Sequence, residues 1–139
     1  MIGYKVVKQF DSNSKLYSCR MSTRNMGLRL YSETRSKYQA IYIPNEFIYP
    51  GINGAKLFFF NNFYAAQEFY RSDTEQIWTC EALNAGKVKY ICNNMENIDD
   101  FWLTKSQGKK LDKARIDSAP TGTYAASAIK LLERVDKNA

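Results

Sequence analysis

Histidine is absent from the 139 residues. Without imidazole the chain has no Ser-His-Asp or Cys-His nucleophile pair and no metal site that needs a histidine ligand. Cysteine is scarce and odd in number: Cys19, Cys80 and Cys92 lie too far apart for a disulfide framework or a CxxC metal knuckle. They read as reduced thiols that pack as small apolar groups. Glycine and proline are few, seven and three, and no phosphate-cradling fingerprint is among them. Gly51-Ile52-Asn53-Gly54 is too short for a P-loop or a dinucleotide turn. No apolar run is long enough to cross a membrane, and Met1-Ile2-Gly3-Tyr4-Lys5 enters a strand-like alternation without an apolar signal region. A cytoplasmic location is therefore expected, with no membrane partner.

Carboxylate chemistry is also thin. The only adjacent acidic pair is Asp99-Asp100, with Glu96 just before it. These residues suit helix capping or a solvated face, and no other acidic cluster completes a magnesium site. No nucleophile–base pair can be named, so no enzymatic activity, cofactor or metal is expected.

What the chain does have is a globular balance, 45% apolar and 24% charged residues. Its length predicts one domain over 1–139, with a core that needs no staples. Twenty Lys and Arg stand against fourteen Asp and Glu, a net charge of +6. That surplus asks for an anionic partner.

The first 60 residues read as short strands. Tyr4 to Phe10 is rich in β-formers, Asp11-Ser12-Asn13-Ser14 is a turn cluster, and Leu16 to Met21 returns as the second strand of a hairpin. Tyr38 to Ile43 is a further strand, stopped by Pro44. Leu57-Phe58-Phe59-Phe60 is a continuous apolar run, the pattern of a central strand buried on both faces. Asn61 or Asn62 then caps a helix from Phe63 to Arg71, with Phe63, Ala66, Phe69 and Tyr70 on one face. Gln76 to Ala82 alternates, with Trp78, Cys80 and Ala82 toward the core. Lys87 to Ile91 would pair with it across a turn at Asn84-Ala85-Gly86.

In the tail, Ile129, Leu131 and Val135 fit a strand, while Ala128, Ile129, Leu132 and Val135 fit a helix. The turn-like Pro120-Thr121-Gly122-Thr123 favours the strand. The expected fold class is α+β: a mainly antiparallel sheet with one principal helix and a basic, partly irregular C-terminal third.

Three features suggest a binding site for an anion. Arg20, Arg24 and Arg29 lie close together, and Lys105, Lys109, Lys110, Lys113 and Arg115 form a second basic stretch. Guanidinium forks grip phosphates. Phe101 and Trp102, beside the second stretch, are a candidate stacking platform for a base, or else core. Thr121, Gly122 and Thr123 offer hydroxyls and backbone N–H groups to a ribose or phosphate, or else form an ordinary turn.

Four blocks carry a family resemblance: Gly3-Tyr4-Lys5-Val6-Val7; Ala55 to Phe60 with the Ala65-Ala66-Gln67-Glu68-Phe69 helix; Ile77-Trp78-Thr79-Cys80-Glu81; and Ala119 to Thr123 leading to Ile129-Lys130-Leu131-Leu132-Glu133. This layout resembles small phage and prophage proteins, among them the Thoeris anti-defence sponges. The resemblance implies an α+β viral protein of the host cytoplasm that assembles as dimers or larger oligomers. It would bind cyclic ADP-ribose isomers made by bacterial TIR-domain proteins, and hold them uncleaved. Some such sponges also bind cyclic oligonucleotides at separate sites. Arginines would meet the phosphates and an aromatic the base. The expected function is thus a non-enzymatic cyclic-nucleotide sponge, with Arg20, Arg24, Arg29, Phe101, Trp102, Arg115, Thr121, Gly122 and Thr123 as ligand-binding residues. The alternatives are a basic nucleic-acid-binding protein or a protein-binding inhibitor of host machinery.

Overall fold

The structure, a computed structural model, describes residues 1–9, 15–18, 40–51, 54–92 and 98–138. It is α+β, mainly antiparallel, with two helices among the described residues.

Strand β1 (Ile2–Gln9) lies at the centre. Along one edge it pairs with β6 (Glu75–Leu83) from Ile2↔Glu81 to Lys8↔Glu75. Its other edge is shared by two strands. β5 (Leu57–Phe60) meets it at Tyr4↔Phe60, and β2 (Leu16–Ser18) takes Val7 to Gln9. Where β5 crosses, only glycine fits: a Cβ on Gly3 would stand 2.5 Å from the Phe59 ring and 2.6 Å from the Phe60 carbonyl oxygen.

Outward from β5 lie β10 (Thr123–Ala126) and β7 (Gly86–Lys87). On the far side of β6 lie β11 (Ala128–Val135) and β4 (Phe47–Ile48), and β3 (Ile41–Tyr42) pairs with β2. β10 and β11 are consecutive in the chain yet four places apart in the order β11-β6-β1-β5-β10. The sheet therefore curls until its two arms join at Ser127, whose N–H donates to the Leu83 carbonyl at 2.9 Å. β8 (Tyr90–Cys92) and β9 (Ile116–Ser118) form a separate two-stranded ribbon.

Strand alternation sorts side chains to the two faces. Val7, Leu57, Phe59, Cys80, Ala82, Ala126, Ile129 and Leu131 fill the inside of the curl. Val6, Phe60 and Ile77 face outward and are covered by helix α1 (Phe63–Phe69) through Ala65 and Ala66. Asn62 is its cap, the side-chain oxygen accepting from the Ala65 N–H at 2.8 Å. Helix α2 (Ile98–Ser106) lies over the same outer face and buries Phe101 and Trp102 with Ala55 and Phe58.

Most sequence expectations hold: the β1–β2 pairing, the central position of β5, the α1 cap and the strand nature of the tail; burial of β5 on both faces holds except at Phe58, which is half-buried. Two are corrected. α2 is longer than α1, so there are two comparable helices rather than one principal helix. The expected hairpin after β6 does not form, because β1 and β11 already occupy both edges of β6. Asn84 takes a left-handed φ of 51° and the chain leaves, so that β7 pairs with β10 and β8 with β9.

Candidate functional site

The outer face of β5 is not fully covered. Between α1 and α2 a cavity of about 340 Å³ remains. Lys56 and all four residues of β5, Leu57 to Phe60, contribute to it; β1 contributes Lys5 and Val6. Phe69 closes the α1 side, and Ile98, Phe101 and Trp102 the α2 side. Ile91, Cys92, Pro120 and Thr123 complete the wall, with Ser18 of β2.

The rings of the wall pack on one another. Phe58 stacks on Trp102 with centroids 5.6 Å apart and planes 29° apart, and Phe101 meets Trp102 edge-on at 5.0 Å. Phe60 and Phe69 are tilted together at 5.1 Å. Such pairs contribute about 0.5–1.5 kcal/mol beyond area burial.

Two ammonium groups stand in this apolar setting. Lys5 is only 9% exposed. Because β1 and β5 register at a single residue pair, they diverge beyond it, and Lys5 Nζ donates to the Phe58 carbonyl while lying 5.6 Å from the centre of the Tyr42 ring. Lys56 Nζ reaches Ser127 Oγ at 3.1 Å, at the bend between β10 and β11. No aspartate or glutamate is among the described lining residues, and among the described residues neither lysine is in an ion pair. Nearby, Lys105 lies 5.8 Å from the ring centres of both Phe101 and Trp102. Its partial burial, and secondarily the Lys56 charge, push its amine below the ordinary lysine value.

The residues picked from the sequence are distributed unevenly. Phe101 and Trp102, each 4% exposed, line the cavity as packed wall rather than as an open platform. Thr123 lines it too, but its hydroxyl donates to the Pro120 carbonyl at 2.6 Å. Gly122, at φ 86°, is the third residue of the turn closed by Thr123 N–H to Pro120 O, and that position needs a left-handed residue. Neither Thr121 nor Gly122 belongs to the lining. Arg115 also stands outside it, its guanidinium engaged by Asp100 at 3.0 Å and Asp112 at 3.7 Å. Arg20, Arg24 and Arg29 lie outside the described residues.

Lys5 and Lys56 were not anticipated from the sequence. The signal was present: Lys5 shares strand parity with Gly3 and Val7, which places a charge on an apolar face. Among the described residues no group of three His, Cys, Asp or Glu side chains is arranged to hold a metal. No helix among them is long and apolar enough to cross a membrane. Comparison with protein-family models, with curated proteins and with solved structures gives no significant match.

Proposed function

We propose that this chain is a non-enzymatic binding protein that takes a cyclic nucleotide-class anion into the cavity over β5 and holds it intact. That is the role of the anti-defence sponges it resembles, and self-assembly into dimers belongs to the same proposal. One observation carries the reading: two lysines, and no carboxylate among the described residues, line an aromatic-walled cavity. Buried charges are normally paired, and Lys5, which has no carboxylate partner among the described residues, would be paired by a bound anion. The volume of about 340 Å³ lies near the lower end of ligand cavities, roughly 300–1,000 Å³. That suits a ligand with one base, such as a cyclic ADP-ribose isomer, better than a cyclic oligonucleotide.

The test is a thermal-shift series with cyclic ADP-ribose isomers and cyclic mononucleotides, followed by mass spectrometry of what the denatured protein releases. A saturable rise in Tm with intact ligand recovered supports the proposal. Recovery of a cleaved product would point to an enzyme, and no shift with any cyclic nucleotide would end the sponge reading.

A second reading rests on the exposed side chains of Lys105, Lys109, Lys110 and Lys113, a tract suited to a nucleic-acid backbone. Binding there would weaken steeply with salt, with a log–log slope near −0.9 per phosphate contacted on duplex DNA. A cavity that meets only Lys5 and Lys56 would show a much shallower slope.

A further inference from the structure

The polar inventory of the cavity indicates which part of a ligand is recognised. Proteins that distinguish bases do so with side chains that match base edges: Asn, Gln, Asp, Glu or Arg, often two bonds at a time. None of these is among the described lining residues. The Thr123 hydroxyl already donates its proton to the Pro120 carbonyl. The rest of the described wall is dominated by phenylalanine, tryptophan, isoleucine and proline, which meet a ring by its face.

Charge, in contrast, is strongly provided for. An ammonium carries three donors. Lys5 directs one to the Phe58 carbonyl and has no carboxylate partner among the described residues. Burying an ammonium without a counter-charge costs free energy in the empty protein, and a polar group kept at such a cost is commonly functional.

We infer that Lys5 is the charge-recognition residue of this cavity, and that the cavity accepts ring-bearing organic phosphates by their oxyanion and flat body. The inference rests on the cavity being the binding site proposed above. It adds which group is recognised and how broad the ligand class is. Lys56, tethered to Ser127, is the other lysine of the lining.

The probe is 1-naphthyl phosphate, with 1-naphthol and inorganic phosphate as its two halves, measured by thermal shift and by titration calorimetry. Naphthyl phosphate should raise the Tm of the wild type, while each half alone at equal concentration should do far less. Lys5→Met should melt at or near the wild-type temperature without ligand, yet bind naphthyl phosphate at least about tenfold more weakly, since the anion loses its buried partner. Lys56→Met should lose less.

If 1-naphthol binds as well as its phosphate, or if Lys5→Met binds undiminished, the inference is overturned. Should Lys5→Met fail to fold, the wild-type comparison of naphthyl phosphate with naphthol still decides it. A wild type that responds to a cyclic ADP-ribose isomer but ignores naphthyl phosphate keeps the proposed function and removes this inference. A wild type that responds to neither removes both.

Discussion

Strand β5 has two sides that end in opposite conditions. Leu57 and Phe59 point into the curl, where Phe59 is 1% exposed and the neighbouring side chains close around it. Phe58 and Phe60 point outward to a space that α1 and α2 cover only in part. A run of four apolar residues looks uniform, yet Leu57 and Phe59 pack into the core while Phe58 is left half-buried beside the cavity. The inner side is closely filled, with the Lys5 stem running along it from β1. The outer side carries stacked rings around a space that they do not fill.

That contrast can be broken by mutation. Phe59→Ala should lower stability by about 3–5 kcal/mol, the usual cost of emptying a filled aromatic position. Phe58→Ala, facing the cavity, should cost clearly less and should impair ligand binding instead. Denaturant titration of both variants, with and without ligand, checks the pair. Equal stability losses would mean that the two sides of β5 do not differ as described.

The inner side should also show in alkaline solution. Burial pushes the Cys80 thiol from its ordinary value of 9.0 up to about 11, partly opposed by the Lys5 charge. Between those values the folded protein keeps a proton that the unfolded chain has lost, so stability falls as pH rises through that window. The loss reaches up to about 3 kcal/mol by the upper end. Lys105, with its amine pushed down, works in the opposite sense, because the unfolded chain then holds the extra proton. The decline of stability from pH 9 to 11 should flatten in Cys80→Ala, and an unchanged slope would show that this thiol does not carry it.

The smallest effect is expected at Arg115. Its two ion pairs are exposed on both sides, and such pairs contribute about 0–1 kcal/mol. Arg115→Ala should leave Tm nearly unchanged and ligand affinity intact. A large loss of affinity would move the site toward that surface.

Much of the sheet was legible in the sequence, because alternation and turn residues report local geometry. Leu57 to Phe60 announced a buried strand, and Asn62 announced the start of α1. The ambiguity at 128–135 has a physical cause. β11 carries an irregularity between Leu131 and Arg134, where two residues of β11, Leu132 and Glu133, face one of β6, Thr79. Thr79 Oγ1 fills the gap, accepting from the Glu133 N–H at 3.1 Å. The extra residue shifts the parity, so the apolar positions cease to alternate and fit a helical period as well.

The site was less legible. Lysine in a strand usually marks the solvent face, and only the divergence of β5 and β2 from β1 makes the inward position of Lys5 intelligible. That divergence is a long-range property, and no local pattern encodes it. The exposed basic residues drew attention to Arg115, whose carboxylate partners Asp100 and Asp112 were not foreseeable as contacts.

The central claim is that the space over β5 binds a small anion against Trp102. Trp78 and Trp102 are the two tryptophans, and Trp102 lines the cavity, so a Trp78→Phe protein makes indole fluorescence report from that wall. Titration with a cyclic ADP-ribose isomer should change the Trp102 emission saturably, and the change should be largely lost when Lys5→Met is added. Emission that stays constant up to millimolar ligand, in a protein that remains folded, would contradict the account.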